Sequence, residues 1–133
     1  MIVDTSVLVT LLKEEPATAR FVPVMNQNFG RLKMSSANYL EAAIVIDANE
    51  DQVLSERLDA VIQHFAIELI PVSAHHVRVA RKAYRMYGKG RHPARLNFGE
   101  CFAYALAHTT GEPLMFNGDD FSKTDITDAA PRR

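Results

Sequence analysis

The sequence predicts an α/β domain in which a parallel sheet is covered by helices on both faces. Four short apolar runs, at residues 1–4, 31–35, 67–72 and 113–116, are separated by longer segments with helical periodicity. Strands that alternate with helices are typical of parallel sheets, because a crossover helix joins each strand to the next. The 133 residues suit one domain, and 47% hydrophobic with 23% charged residues is ordinary for a globular protein.

The first half of the chain predicts a strand, two helices, a second strand and a third helix. These elements are a strand at 1–4, a helix at 6–14, a helix at 16–27, a strand at 31–35 and a helix at 36–49. Pro16 suits the first turn of the second helix, whereas Pro23 should interrupt or kink it. The helix at 36–49 is apolar nearly all round, so we expect it to be buried.

The second half predicts a helix, a strand, a helix, a loop, a helix and a last strand. These elements are a helix at 50–66, a strand at 67–72, a helix at 74–87, a loop at 87–95, a helix at 97–111 and a strand at 113–116. The helix at 50–66 is the clearest, because its apolar residues recur every three to four positions. Ser73 and Gly88 suit the two ends of the helix at 74–87. We expect one folded domain at 1–127 and a short flexible tail at 128–133.

Cysteine usage and apolar content restrict the class of protein. Cys101 is the only cysteine, which excludes an intramolecular disulfide and fits a reducing compartment. No basic and apolar leader precedes the first strand, and the apolar runs are far shorter than a membrane span. We therefore expect a cytoplasmic protein with no membrane attachment.

Charge is distributed unevenly along the chain. The net charge of -1 does not favour binding to polyanions through the protein as a whole. From Leu69 to Gly99, however, there is no Asp or Glu, while seven of the 15 Lys and Arg residues fall there. They are Arg78, Arg81, Lys82, Arg85, Lys89, Arg91 and Arg95. This stretch predicts a local basic surface.

Acidic residues follow the predicted strands at the points where those strands end. Asp4 ends the first strand, and Glu41 lies in the first turn of the helix after the second strand. Glu100 lies in the first turn of the helix at 97–111, and Asp119 and Asp120 follow the last strand. In a parallel sheet the strand ends and the starts of the following helices share one edge, where ligands bind. We therefore expect these carboxylates to lie together.

A cluster of carboxylates in an apolar setting needs a counter-charge. Two unit charges ~4 Å apart repel by about 4 kcal/mol at an effective dielectric constant near 20. Oxygen ligands alone suit Mg²⁺ or Mn²⁺, and the chain has no Cys and His set with the spacing of a zinc site. Such a cation can activate a water and stabilise the charge of a reacting phosphodiester. Together with the basic stretch, the acids indicate phosphodiester hydrolysis.

Helix capping is the alternative explanation for each acid. Asn38 with Glu41, and Asn97 with Glu100, have the spacing of capping boxes, and Asp4 could cap the helix at 6–14. The two acids after the last strand also suit a turn. Capping accounts for each acid separately, but it does not explain why four segments of the chain each place an acid at the same edge of the sheet.

Four motifs resemble the PIN-domain toxins of the VapC type. They are MIVDTS, SSANYLEAAIVI, YGKGRHPARLNFGECFAYALA and PLMFNGDDFSKTDI, and the resemblance runs from Met1 to about Ile126. It implies a three-layer α/β/α domain whose central, mainly parallel sheet has four or five strands. It also implies a Mg²⁺- or Mn²⁺-dependent endoribonuclease toxin, a VapB-like antitoxin as partner, and a homodimer.

The resemblance assigns roles to particular residues. The catalytic acids of the family fall on Asp4, Glu41, Glu100 and Asp120. Of these, Asp4, Glu100 and Asp120 are the expected metal ligands, with Asp119 as a further candidate. The hydroxyls of Thr5 and Ser6 are expected near the site. Asp125, in the TDI motif, is also typical of this subgroup, but neither the motif nor the residue pattern gives it a role.

Glu100 departs from the family pattern, which ordinarily has Asp in a GDCFAYALA stretch. The extra methylene moves the carboxylate outward by about 1 Å, a displacement that can cost ~100-fold in rate. Glu is also the better capping-box residue. An alternative function therefore follows from the same resemblance: a catalytically weakened PIN-like module that binds protein.

The basic loop supplies the candidate RNA contacts. Lys89, Arg91 and Arg95 are the predicted contacts to the RNA backbone, because glycine and proline make this loop exposed and shaped. Backbone contacts do not specify a base sequence. Receiver-type phosphoacceptors and haloacid-dehalogenase-like phosphatases also place acids at strand ends, but both require a second acid close to the first, where Asp4 stands alone.

Overall fold

The computed structural model describes residues 1–132 and contains four strands and six α-helices. The strands are β1 (Ile2–Val3), β2 (Lys33–Ser35), β3 (Glu68–Ile70) and β4 (Leu114–Met115). The helices are α1 (Thr5–Leu12), α2 (Thr18–Gln27), α3 (Ser36–Asp47), α4 (Gln52–His64), α5 (Ala74–Tyr87) and α6 (Phe98–Thr110), and a 3-10 turn follows at Phe121–Lys123. The predicted sequence of elements is confirmed.

The four strands form one sheet in the order β3-β2-β1-β4, and every neighbouring pair is parallel. Successive residues of a strand face opposite sides of a sheet. Ile2 of β1 and Leu114 of β4 accordingly belong to the core beneath α5 and α6. Val3 and Met115 belong to the core formed with α1, α2, α3 and α4. The chain is therefore a three-layer α/β/α domain, as the fold prediction states.

The two edges of the sheet differ in how their charges are satisfied. At the edge where the strands begin, the Glu112 carboxylate accepts a hydrogen bond from the Met1 amino group. The same carboxylate accepts one from Lys33 Nζ at 2.8 Å, which joins β1 and β2 through one acid. The two positive partners hold the pKa of Glu112 below its usual value, against the effect of its partial burial. Glu112 is thus paired with two cations at this edge.

Helix α3 is only partly buried, so the expectation that it is buried is wrong. It packs along one side against α1, α4 and α6. Its other side leaves Leu40 59% exposed and Ile44 61% exposed. The apolar composition was correctly recognised, but a single domain of this size covers only one face of the helix. An apolar face thus remains open on the surface of the molecule.

Three local features refine the predicted boundaries. Helix α2 continues through Pro23, so the predicted interruption there is wrong. The basic loop is closed by a parallel bridge between Gly88 and Leu96. Residues 128–130, which the sequence assigns to the tail, pack on β4: Ala129 N donates to Leu114 O at 2.9 Å, and Ala130 is buried. Arg133, the last residue of the predicted tail, lies outside the described residues.

No helix within residues 1–132 has both the length and the apolar character that crossing a membrane requires.

Candidate active site

A cavity of about 410 Å³ opens at the edge of the sheet where the strands end. It lies between the starts of α1 and α6 and the segment that follows β4. Its lining residues are Asp4, Thr5, Ser6, Val9, Thr10, Glu15, Glu41, Val45, Asn97, Glu100, Asn117 and Gly118. Three of the four acids that the resemblance assigns to catalysis therefore face one cavity, and the fourth, Asp120, lies against Glu100.

Asp4 is both a helix cap and the most buried acid of the cavity, at 4% exposure. Its Oδ2 accepts from Ser6 N at 3.0 Å and from Ser6 Oγ at 2.6 Å, which caps α1 as the alternative explanation predicts. Its Oδ1 is buried with no hydrogen-bond partner among the described residues. Burial raises the pKa of Asp4 to about 6, against the lowering effect of the Ser6 hydrogen bonds and with a further rise from the Glu41 charge.

Ser6 connects Asp4 to the segment after β4. Its hydroxyl donates to Asp4 and accepts a hydrogen bond from Asn117 N at 2.9 Å. The Asn117 side chain donates in turn to Thr10 Oγ1 at 3.1 Å. These bonds join the end of β1 to the end of β4, and they place Ser6 in the wall of the cavity beside Asp4.

Glu41 is placed by contacts that capping does not explain. The cap of α3 is Ser35, whose Oγ accepts from Ala37 N, so the predicted capping box of Asn38 and Glu41 is wrong. Because α3 begins at Ser36, Glu41 lies in its second turn rather than in its first. Thr5 Oγ1 lies 2.6 Å from Glu41 Oε1, within donating distance. Thr5 thus holds this carboxylate from the opposite side of the cavity.

Gly99 and Asn38 let α3 approach α6 closely beneath Glu41. Asn38 is fully buried, and its Nδ2 donates to Gly99 O at 2.8 Å. A Cβ atom at position 99 would lie 2.0 Å from Glu41 Oε2, a distance at which the carboxylate would have to move. Glycine is therefore required for Glu41 to occupy its present position.

Glu100 combines the two roles that the sequence left open. Its Oε1 accepts from Asn97 N at 2.9 Å, and its own N–H donates to Asn97 Oδ1 at 2.9 Å, which completes a capping box. Its side chain also lies against Asp120. Burial raises the pKa of Glu100 to about 8, and the hydrogen bond to Asp120 and the charges of Asp120 and Asp4 add to the rise.

The acids of this cavity have no cationic partner among residues 1–132, where none of the ion pairs includes Asp4, Glu41, Glu100 or Asp120. Asp119 is not brought to the group: its exposed carboxylate pairs with Arg132 Nη2 at 3.2 Å. Within the same range, no three His, Cys, Asp or Glu side chains are already gathered as a metal site.

The donor chemistry of the cavity nevertheless fits a hard divalent cation. The available ligands are carboxylate oxygens, which Mg²⁺ and Mn²⁺ prefer. The unpartnered Oδ1 of Asp4 is a buried lone-pair donor on an acid that lines this cavity. Burial, and to a lesser extent repulsion between the carboxylates, raises the pKa values of Asp4 and Glu100, and a cation here would offset both effects.

The predicted RNA-contact residues line a second, shallower cavity of about 500 Å³. Lys89, Arg91 and Arg95 are all exposed there, and none of them forms an ion pair with another described residue. Backbone bonds from Lys89 N to Leu96 O and from Leu96 N to Tyr87 O, each 2.9 Å, hold the loop in shape. Asn97, two residues after Arg95, lines the acidic cavity.

Several residues of the site were missed by the sequence reasoning. Glu15 is a fourth carboxylate lining the acidic cavity, beside Asp4, Glu41 and Glu100, and Asn117 and Thr10 also line its wall. Glu15 follows a turn in which Glu14 adopts a positive φ of 54°, which no glycine or asparagine signals. Asn117 could have been found from its place directly after the last strand.

Comparisons with known proteins agree on one family. The PIN domain family matches residues 1–126. The ribonuclease VapC30 of Mycobacterium tuberculosis is 46% identical over 130 residues, covering 98% of both chains. The ribonuclease VapC of Mycolicibacterium smegmatis is 43% identical over 126 residues, covering 95% of this chain and 97% of that protein. The resemblance seen in the sequence motifs is therefore confirmed.

Solved structures agree on the fold. The crystal structure of Mycobacterium tuberculosis VapC20, described as a toxin that cleaves the sarcin-ricin loop, superposes with a TM-score of 0.75 at 15% identity, covering 98% of both chains. The DNA-bound VapBC complex of Salmonella typhimurium contains a chain that superposes with a TM-score of 0.69 at 18% identity, covering 96% of this chain and 93% of that one. At this identity the likeness establishes the three-layer architecture alone.

Replacing Asp4 with Asn should stabilise the fold above pH 6. Because burial raises the pKa of Asp4 from 3.8 to about 6, the folded state binds the proton more tightly than the unfolded state. The stability that this residue contributes therefore falls as pH rises from about 4 to about 6 and stays low above that. Asn keeps the capping oxygen without the charge. We expect D4N to raise the free energy of unfolding by about 1–2 kcal/mol at pH 8 without divalent cations.

The measurement is urea unfolding at pH 8 and at pH 4, where the gain should largely disappear. Asp47→Asn is the matched control, because Asp47 is an exposed acid on α3 whose replacement removes the same charge from the surface. A D4N protein that is less stable than the wild type at pH 8, or equally stabilised at both pH values, would contradict this account of the buried carboxylate.

Proposed function

We propose that this chain, which belongs to the PIN-domain family and within it to the VapC type, is the endoribonuclease toxin of a toxin–antitoxin pair. The convergence of Asp4, Glu41, Glu100 and Asp120 at one edge of the sheet carries this proposal. Identity of 41–46% to proteins named VapC ribonucleases, over nearly the full chain, supports RNA as the substrate. The alternative of a weakened protein-binding module is not favoured, because the relatives are named ribonucleases over nearly the full chain.

The proposed cofactor is Mg²⁺ or Mn²⁺, held by Asp4, Glu100 and Asp120. The oxygen-only donor set and the unpartnered Oδ1 of Asp4 support it. When bound, such a cation lowers the pKa of a coordinated water and stabilises the negative charge of the reacting phosphodiester. Asp119 stays a weaker candidate for a ligand, since its carboxylate is engaged by Arg132.

The residues around the acids hold them in position for hydrolysis. Ser6 orients Asp4 through its 2.6 Å hydrogen bond and leaves Oδ1 available. Thr5 engages Oε1 of Glu41, so Oε2, which lies over Gly99, is the atom that would accept the proton of the attacking water. In-line attack on phosphorus would leave a 5′-phosphate and a 3′-hydroxyl.

The basic loop is the proposed RNA-backbone contact. Lys89, Arg91 and Arg95 are exposed and unpaired with acids among the described residues, and the loop leads within two residues to Asn97, which lines the acidic cavity. A phosphate held on this loop would place the neighbouring phosphates of the same strand along the acidic cavity. These contacts would fix the path of the RNA without selecting its bases.

The proposed protein partners are a VapB-like antitoxin and a second copy of this chain, in the cytoplasm. For the homodimer, the open apolar face around Phe98 gives support. Phe98 is 83% exposed and stands between two apolar hollows of about 320 and 250 Å³, which also include Phe102. A protruding side chain next to a hollow suits a twofold interface, because each copy can place its Phe98 in a hollow of the other.

Metal-dependent RNA cleavage by the purified protein is the central test. We expect Mn²⁺ or Mg²⁺ to support cleavage of RNA, with 5′-phosphate and 3′-hydroxyl ends, and EDTA to abolish it. D4N and Glu41→Gln, checked for folding by circular dichroism, should each lose about 100-fold or more in rate. Cleavage that persists in EDTA, or in a folded D4N protein, would refute the proposal.

Shortening Glu100 to Asp separates its role in capping α6 from its proposed role in RNA cleavage. Asp gives up the hydrogen bond to Asn97 N but matches the side-chain length that the family uses, so E100D should cleave RNA at least as fast as wild type and lose about 0.5–1 kcal/mol of stability. Glu100→Gln is the control: it keeps the capping oxygen and removes the charge, and should lose about 100-fold in rate. A loss of rate in E100D as large as that in E100Q would contradict this prediction, because it would show that the site requires the longer side chain of Glu.

Neutralising the basic loop should weaken RNA binding and its salt dependence. With Lys89, Arg91 and Arg95 all changed to Ala in a D4N background, the slope of log K against log[salt] should fall by about 2, since each lost phosphate contact removes ~0.7 on single strands. The matched control changes Arg78, Lys82 and Arg85 of α5, which removes the same charge. If both triple variants lose equally, the loop holds no specific role in binding.

Placing a charge at Phe98 should dissociate the proposed dimer. Phe98→Asp would put a carboxylate into an apolar contact, whereas Phe29→Asp makes the same change at a 62% exposed phenylalanine on another part of the surface. Sedimentation velocity should show a dimer for wild type and F29D and a monomer for F98D. A wild-type monomer, or a dimeric F98D protein, would exclude this interface.

A further inference from the structure

Asp125 is the acid of the TDI motif to which the acidic cavity gives no role. It does not line that cavity. Its Oδ1 instead accepts a hydrogen bond from the hydroxyl of Tyr104 at 2.8 Å. Tyr104 is 1% exposed, so its hydroxyl needs a partner within the protein. The contact joins the middle of α6 to the segment that follows Asp120.

Tyr104 and Glu100 lie one turn apart on the same face of α6. They are four residues apart, and side chains at this spacing lie on the same face of a helix. Glu100 lies against Asp120, and Tyr104 against Asp125. The segment at 120–125 therefore runs beside α6 and is attached to it at two points, of which only one belongs to the acidic site.

The segment between these two points is held together by internal hydrogen bonds. Phe121 is buried, and its carbonyl accepts from Thr124 N at 3.0 Å and from Thr124 Oγ1 at 2.7 Å. Thr124 Oγ1 accepts from Ile126 N at 3.2 Å. Because these bonds span residues 121 to 126, we expect a shift of Asp125 along α6 to displace Asp120 as well.

The tyrosine end of the contact is held rigidly. The Tyr104 ring stacks on His108 with an interplanar angle of 11° at 5.6 Å and packs on Tyr87 at 5.8 Å. Tyr87 contacts His92 of the basic loop edge to face at 5.2 Å. Tyr104 is thus a fixed point against which the segment can be positioned.

We propose that Tyr104 and Asp125 are positioning residues, whose hydrogen bond sets the register of segment 120–126 on α6 and so holds Asp120 beside Glu100. The effect of this hydrogen bond on RNA cleavage rests on the proposed function. Its effect on the position of segment 120–126 does not. Asp125 acts here as a hydrogen-bond acceptor, and its charge is not needed for that role.

Three variants separate the acceptor from the charge. Tyr104→Phe and Asp125→Ala remove the hydrogen bond, and Asp125→Asn keeps an acceptor oxygen. We expect Y104F and D125A to lower kcat about tenfold through misplacement of Asp120, with KM for RNA within about twofold, and D125N to stay within about twofold of wild type. A loss in D125N as large as in D125A would show that Asp125 acts as a charged ligand or acid, and would overturn the proposal.

A double-mutant cycle tests whether the effect passes through Asp120. If it does, adding D125A to Asp120→Asn should lower the residual rate, and weaken Mn²⁺ binding measured by titration, by no more than about twofold beyond D120N alone. Multiplicative losses would overturn the proposal, because they would show that the two residues act independently. An unchanged kcat in Y104F, with only a lower melting temperature, would also overturn it.

Amide hydrogen exchange provides a reading that does not depend on RNA cleavage. In Y104F and D125A, but not in D125N, the Thr124 amide should exchange about tenfold faster, while the amides of α1 exchange as in wild type. If wild type proves unable to cleave RNA, the proposed function fails and the exchange result alone decides the positioning role. Exchange at Thr124 that is unchanged in both Y104F and D125A would overturn that role.

Discussion

Burial of the Asp4 carboxylate is the constraint on which the rest of the site depends. The end of β1 carries this acid into the apolar layer beneath α1, where one of its oxygens has no partner among the described residues. Desolvation of an unpaired carboxylate is costly, and its raised pKa is the measure of that cost. Natural folds avoid such a position unless something else requires it.

The surrounding contacts keep the other acids close to Asp4 in spite of their repulsion. Thr5 holds Glu41, and the bond from Asn38 to Gly99 brings α3 against α6. Asn97 holds Glu100 through the capping box. At the opposite edge of the sheet, by contrast, the Glu112 carboxylate has two cationic partners, the Met1 amino group and Lys33. The unpaired edge is therefore the edge at which a positively charged ligand is expected.

Much of this arrangement could be predicted from the sequence, because strand ends and helix starts are local features. Alternation of apolar runs and helices gave the parallel sheet, and that sheet placed Asp4, Glu41 and Glu100 at one edge. Asn38 and Gly99 could not be predicted as partners, since 61 residues separate them and only the packing of two helices joins them. The exposure of α3 was misjudged for a related reason: composition reports that a face is apolar, not whether the same chain covers it.

Capping and chemistry proved compatible at this edge, although the sequence presents them as alternatives. A helix start offers unpaired N–H groups, and an acid that satisfies them is also directed at whatever lies in front of the helix. Asp4 accepts a hydrogen bond from Ser6 N with one oxygen, which caps α1. Its other oxygen has no partner among the described residues and stays available for a ligand. In Glu100, one oxygen is committed to Asn97 and the side chain still reaches Asp120. The longer side chain allows both contacts at once, which gives a physical reason for Glu at a position where the family ordinarily has Asp.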